Sequence, residues 1–282
     1  MQPLTEELVH RINRIVRDCG QSAKHLAGQG FEVYQKGPGD YVTDVDRALD
    51  EQLTQAFDQL FPDDKLVTEE NSASLQGFHD RTQRIWCVDP LDGTQDFING
   101  DPDYAVMVGA LGREPLAGWI YAPEYDALYF GGPGIGLWQR KGELEPCPLT
   151  PSPTEHSQRW IIGYKDLQNY GSIIQAQLPK VEFWQRPGSF GLKVLEVVQG
   201  QAGAYIYLNQ RVKVWDTVAP LAIAQAAGLQ CCDLQGQAIG YAPDQIHPET
   251  LAHLQPIVIG WPTVVQALLP ALALAIHAAV VP

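Results

Sequence analysis

The stretch Ile85-Trp86-Cys87-Val88-Asp89-Pro90-Leu91-Asp92-Gly93-Thr94 constrains this chain more than any other. Its apolar start reads as a short buried strand, which stops at two carboxylates three residues apart, with a proline between them and Gly-Thr behind. Strand ends in α/β proteins border the crevice where ligands bind, so side chains here are aimed out of a sheet. The spacing predicts that Asp92 caps a helix or tight turn whose first N–H groups, on Gly93 and Thr94, face an anion. An ordinary Asp-capped turn has the same local pattern. The remaining chain distinguishes the two.

Upstream, Leu4, Leu8, Ile12, Ile15, Val16 and Cys19 recur at helical spacing. Lys36 to Asp46 reads as a turn-rich loop running into a second helix, with Leu49, Leu53, Phe57 and Leu60 on one face. Thr43 is its predicted cap, which places Asp44 and Asp46 in the first turn, where the helix dipole favours negative charge. Lys65 to Thr68 reads as a strand that also stops at acids, Glu69 and Glu70. From Tyr104 to Trp138, apolar runs alternate with Gly and Pro turns, the pattern of an antiparallel meander. Gly131 to Gly136 lacks the Gly-Lys-Ser/Thr ending of a phosphate loop and reads as a hairpin turn.

Four prolines between Pro146 and Pro153 mark a boundary. Residues 1–147 then form an N-terminal α+β half carrying most candidate ligands, and 148–282 a smaller half in which strands and helices alternate. There Gly188-Ser189 leads a helix, Ala204 to Leu208 forms a strand, and Val214-Trp215-Asp216 opens an Ala-rich helix. Asp216 is its predicted N-cap, and Pro220 is tolerated near its start.

The formal charge, 19 − 33 = −14, argues against a general nucleic-acid binder, so an anionic substrate needs local help, most simply from bound cations. Five cysteines without a Cys-x-x-Cys read as reduced thiols in a cytoplasm. The last 33 residues carry no Asp, Glu, Lys or Arg. Gly260, Pro262, Gln266, Pro270 and His277 interrupt them well short of a membrane span, and they read as a buried strand plus a packed helix.

If Glu69, Asp89, Asp92 and Asp216 converge with Asp46 nearby, mutual repulsion would force protonation unless cations neutralise them. An all-oxygen donor set favours Mg2+, with Mn2+ or Ca2+ as substitutes. Two such ions sharing a carboxylate activate water and stabilise a leaving oxygen, which implies hydrolysis of a phosphate ester.

Asp89-Pro90-Leu91-Asp92-Gly93-Thr94, Glu69-Glu70, Asp40-x-x-Thr43-x-x-Asp46 and Trp215-Asp216 together resemble the motifs of the inositol monophosphatase superfamily of lithium-sensitive phosphomonoesterases. The resemblance spans Lys36 to Gly228 and implies the alternating α-β-α-β-α sandwich shared with fructose-1,6-bisphosphatase. It further implies that Glu69, Asp89 and the Leu91 carbonyl hold a first metal. Asp89, Asp92 and Asp216 would hold a second, with a third, weaker one near Glu69. Thr94, oriented by Asp46, would polarise the attacking water; the Gly93 and Thr94 amides would bind phosphate; Lys36 and Glu70 would lie at the rim, Glu70 counted among the catalytic residues. The family is often dimeric.

Departures from the inositol pattern bear on which small phosphorylated metabolite the resemblance implies as substrate. Asn209 stands where inositol phosphatases place a Glu seven residues before the second-metal Asp. Gln95-Asp96-Phe97 is closer to the Lys-Glu-Phe of bisphosphate nucleotidases, and Gly188-Ser189-Phe190-Gly191-Leu192-Lys193 resembles that branch too. These residues, with Asn209 and Lys193 as substrate contacts, imply 3′-phosphoadenosine 5′-phosphate or a related nucleotide, with inositol 1-phosphate the close competitor. A haloacid-dehalogenase-type phosphatase would need one residue between its aspartates, where this chain has two. A non-catalytic Ca2+-binding protein would need the EF-hand spacing, which is absent.

Overall fold

The computed structural model of the chain describes residues 3–80, 82–153, 155–186 and 188–280. They group into two compact units: Met1–Leu149 with Gly188–Leu192 and Val214–Ile223, and Thr150–Pro187 with Lys193–Lys213 and Ala224–Pro282.

In the first unit, α1 (Glu6–Ala27) starts where the Thr5 hydroxyl accepts the Leu8 N–H, with Glu6 and Glu7 at its positive end. The stripe Leu8, Ile12, Val16 and Cys19 is buried. The stretch read as a loop before the second helix is instead a small hairpin, β1 (Val33–Gly37) paired with β2 (Asp40–Thr43). β1 is mostly exposed and only Val42 and Thr43 of β2 are buried, too few for an alternation to read. At the start of α2 (Asp44–Leu60), the Thr43 hydroxyl accepts from Asp46 N while the Asp46 carboxylate accepts from Thr43 N, a reciprocal capping box.

Then come β3 (Lys65–Thr68), β4 (Ile85–Asp92), the short α3 (Thr94–Asn99), β5 (Ala105–Leu111), β6 (Pro115–Ala122), β7 (Ala127–Gly132), β8 (Gly136–Lys141) and β9 (Cys147–Pro148). These strands form one sheet in chain order. The β3–β4 pair is parallel and the meander from β4 to β9 antiparallel.

The second unit holds a five-stranded sheet whose strands alternate with helices except between the last two strands of the chain. The elements are β10 (Arg159–Ile162), α4 (Tyr164–Gln177), β11 (Glu182–Trp184), α5 (Phe190–Val198), β12 (Ala204–Tyr207), α6 (Val214–Ala226), β13 (Gln230–Cys232), β14 (Ile257–Gly260) and α7 (Pro262–Val280). The first residues of α5 and most of α6 belong to the first unit. In the order β11-β10-β12-β14-β13, the first three strands are parallel and β14 runs against both neighbours. The uncharged C-terminal stretch now has a cause. β14 is an inner strand buried at every position, and α7 sends Val265, Leu268 and Leu272 into the core with Trp160, Ile174 and Ile206. Among the described residues no helix is long and apolar enough to cross a membrane; Val281 and Pro282 lie outside them.

The seven-stranded sheet positions the site. Along β5 and β6, Val106, Val108, Ala110, Ala117, Trp119 and Tyr121 face α1 and α2. Residues between them point to the other face. There the cross-strand partners Gly109 and Gly118 form a bare patch. A Cβ on Gly109 would lie 2.6 Å from Ala219 N, and one on Gly118 2.2 Å from Ala219 O. Thus α6 rests directly on backbone, which sets the height of Asp216 three residues earlier. Gly118→Ala is expected to destabilise the fold by about 1–3 kcal/mol through overpacking. Thermal melts of the variant measure it.

Candidate active site

Parallel neighbours end at the same sheet edge, so whatever follows β3 comes out beside the end of β4. Thr68 pairs with Val88, and Glu69 N donates to Val88 O at 3.1 Å, which sets Glu69 beside Asp89. Pro90 has no N–H to continue the ladder. The pairing slips there: Asp89 faces Met107 and Asp92 faces Ala105, so three steps on β4 match two on β5. This bulge turns Asp89 inward, 1% exposed, where its Oδ1 accepts the Leu91 N–H at 3.0 Å. Asp216 enters as the third residue of α6, not as its N-cap, because the helix already starts at Val214. The carboxylates of Glu69, Asp89 and Asp216 offer oxygens all within 4.8 Å of one another.

That cluster is electrostatically frustrated. Burial first, then repulsion from Glu69, Asp92 and Asp216, pushes the Asp89 carboxyl well above the ordinary range, against the pull of the Leu91 N–H. Lys36 lies 3.3 Å from Glu69 and 2.6 Å from Glu70. Burial opposes its charge, yet Glu69 and its hydrogen bond to Glu70 hold it above the usual lysine value. Glu70 rises from 4.5 to about 7, chiefly through burial and then through Glu69. Three converging carboxylates, the buried Asp89 among them pushed well above its ordinary range, fit a divalent cation, and an all-oxygen donor set fits a hard one.

The sign of the resulting pH dependence is definite. A carboxyl whose folded pKa is raised binds more protons folded than unfolded, so stability falls as pH climbs between the two values. For Glu70 that window runs from 4.5 to about 7, and Asp46 and Asp89 act in the same direction. In EDTA the melting temperature is therefore expected to be higher at pH 5 than at pH 8, and saturating Mg2+ should restore most of the loss at pH 8. Melting temperatures that stay level across this range in EDTA would contradict the crowding of these acids.

A second group lies at the start of α3. Gly93, with φ +98°, is its N-cap, so Asp92 does not cap this helix as its position in the sequence implied. The left-handed conformation that only glycine adopts freely moves the cap by one residue. Thr94 Oγ1 lies 3.0 Å from Asp46 Oδ1 and 3.1 Å from the Leu91 carbonyl. The other Asp46 oxygen accepts the Thr43 N–H at 2.8 Å and the Thr43 hydroxyl. Burial raises the Asp46 carboxyl, and these hydrogen bonds hold it down. Asp46 thus both caps α2 and faces Thr94.

Asp92 stands apart from the three-acid cluster but close enough to act on Asp89. Its Oδ2 accepts the Ser189 hydroxyl and, at 3.0 Å, the Gly191 N–H. Ser189 is fully buried, and Gly188, at φ +81°, leads into it. Asn209 and Lys193 belong to the second unit. There Asn209 Oδ1 accepts the Arg211 N–H at 3.2 Å, closing a turn after β12, and Lys193 is half-buried on α5. Sequence reasoning passed over Asp50, one helical turn beyond Asp46. Burial raises its carboxyl first, and the charge of Glu69 raises it further. An acid on the apolar face of α2 was the available signal.

The sequence profile of the inositol monophosphatase family matches residues 5–274. A fructose-1,6-bisphosphatase/inositol-1-monophosphatase of Aquifex aeolicus is 30% identical over 202 residues, covering 70% of this chain and 73% of that protein. The 3′(2′),5′-bisphosphate nucleotidase CysQ of Salmonella typhimurium is 28% identical over 246 residues, 84% of this chain and 94% of that one. An IMPase/NADP phosphatase structure complexed with Mg2+ and phosphate has a TM-score of 0.71 at 22% identity, covering 89% of this chain and 90% of that one. The layered mixed α/β fold is shared with that structure.

Proposed function

Because this chain belongs to the inositol monophosphatase family of metal-dependent phosphomonoesterases, we propose that it hydrolyses the 3′-phosphate of a small nucleotide such as 3′-phosphoadenosine 5′-phosphate. The observation that carries the chemistry is the convergence of Glu69, Asp89 and Asp216 within 4.8 Å. Glu69, Asp89 and the Leu91 carbonyl would hold one Mg2+, and Asp89, Asp92 and Asp216 a second, with Asp89 shared. When bound, the ions neutralise phosphate charge, lower the pKa of the attacking water and stabilise the leaving oxygen.

The remaining steps belong to the protein's own groups. Thr94 donates its hydroxyl hydrogen bond to Asp46, 3.0 Å away, so its lone pairs face the attacking water, and the water's proton passes to Thr94 as the Thr94 proton passes to Asp46. Thr43 keeps Asp46 in place for that exchange through two hydrogen bonds. The amides of Gly93 and Thr94, in the first turn of α3 where no helical acceptor exists, would bind phosphate oxygens. Lys36, paired to both Glu69 and Glu70, balances charge at the rim.

The choice of a nucleotide rests on Gln95-Asp96-Phe97 after the phosphate turn, and on Asn209 in place of an acid that would engage ring hydroxyls. A nucleotidase, CysQ, is among the relatives, at 28% identity across 84% of the chain. None of the five cysteines forms a disulfide, in keeping with a cytoplasmic enzyme. The test is a panel of the adenosine bisphosphate, inositol 1-phosphate and fructose 1,6-bisphosphate with Mg2+, each with and without lithium. The nucleotide is expected to have the highest kcat/KM, inhibited by lithium. A tenfold or greater preference for inositol 1-phosphate would overturn the substrate assignment, and release of no phosphate in any arm would overturn the reaction.

A further inference from the structure

Ser189 is polar, fully buried and held on every side, yet none of the chemistry above uses its hydroxyl. Its N–H donates to the Asp103 carbonyl at 2.9 Å. Its Oγ accepts the Leu192 N–H at 3.1 Å, the geometry of an N-cap on α5, and donates to Asp92 Oδ2. Gly191 N reaches the same Asp92 oxygen at 3.0 Å.

The backbone around it is set with no slack. Gly188 has φ +81°, and a Cβ there would lie 1.9 Å from the Asp103 carbonyl oxygen. A Cβ on Gly93 would lie 3.0 Å from the same oxygen and 3.1 Å from Ser189 N. Two glycines therefore let the segment before α5 press onto the turn that follows Asp92. The contact delivers one hydroxyl and one amide to one carboxylate oxygen.

We infer that Ser189 is a positioning residue for Asp92, its hydroxyl fixing the orientation in which that carboxylate is presented to a divalent cation. The inference rests on Asp92 being a metal ligand. Two donors on Oδ2 remove the rotation of the carboxylate about its Cβ–Cγ bond, so a cation does not have to order it on binding. The amino-terminal end of α5 adds partial positive charge beside an acid that repels Asp89. This also distinguishes Ser189 from a side chain that touches substrate, because its hydroxyl is engaged within the protein.

The test is isothermal titration of the substrate-free protein with Mn2+, paired with thermal melts in EDTA, for wild type, Ser189→Ala and Ser189→Thr. Outer hydrogen-bond partners of metal ligands typically account for about 10–100-fold in affinity. Ser189→Ala is expected to raise the Kd of one Mn2+ site about tenfold or more, and Ser189→Thr, which keeps the hydroxyl, to stay within about twofold. An unchanged Mn2+ isotherm in Ser189→Ala, whether or not its melting temperature falls, overturns the inference and leaves a helix cap only. If Ser189→Ala does not fold, Ser189→Cys, similar in volume with a weaker donor, is read by the same criteria. Wild-type protein that binds no Mn2+ would overturn both this inference and the metal assignment, whereas binding with no phosphate release would count against the reaction alone.

Discussion

Asp89→Asn is expected to abolish Mg2+-dependent phosphate release while leaving a folded protein that, in metal-free buffer, melts at a higher temperature than wild type. The two effects have one origin. The Asp89 carboxylate is 1% exposed and feels Glu69, Asp92 and Asp216 at once, so without cations its charge is a burden on the fold. An amide of the same shape keeps an oxygen for the Leu91 N–H bond and removes the repulsion. Because Asp89 would be shared by both ions, its loss is expected to cost about 10³-fold or more in kcat/KM, or about 4 kcal/mol of barrier. Colorimetric phosphate release and melts in EDTA read the two sides. Activity within about tenfold of wild type, or a lower melting temperature, would show that Asp89 is a structural acid.

The second large effect is expected at Thr94. Thr94→Ala should lower kcat by about 10²–10⁴-fold, the range for a lost proton-transfer partner, with Mn2+ affinity within about threefold of wild type. The hydroxyl meets Asp46 at 3.0 Å and the Leu91 carbonyl at 3.1 Å, so its removal deletes the path from water to Asp46 without deleting a carboxylate ligand. Thr94→Ser, which keeps the hydroxyl, should recover most of the rate. Equal losses in rate and Mn2+ affinity for Thr94→Ala would place Thr94 in metal binding instead.

The parts of the site legible in the sequence are those set by local rules. An apolar run ending in acids marked β3 and β4, and parallel pairing then brought Glu69 and Asp89 to one edge. The Thr43–Asp46 spacing marked a helix start, which the capping box bears out. The meander from β5 to β8 followed from alternation and turns. What escaped depends on contacts between distant residues or on a single backbone torsion. No local pattern says that Ala219 will rest on Gly109 and Gly118 and carry Asp216 to the cluster. The cap of α3 moved from Asp92 to Gly93 because Gly93 adopts φ +98°. The β1–β2 hairpin was hidden because its strands are short and β1 is mostly exposed, so the only buried residues, Val42 and Thr43 at the end of β2, are too few to make an alternation. Ser189 was visible as part of a family-like motif, but the destination of its hydroxyl lies 97 residues away, at Asp92.

The most direct test of the whole account is an anomalous difference map from crystals equilibrated with Mn2+ and phosphate. Two peaks are expected, one within about 2.5 Å of Glu69 and Asp89 oxygens and the Leu91 carbonyl, the other within the same distance of Asp89, Asp92 and Asp216. Phosphate should lie against the Gly93 and Thr94 amides. Saturating Mn2+ with no peak among these carboxylates, or with peaks confined to other acids, would contradict the claim that the convergence of strand-end acids with Asp216 is a catalytic metal centre.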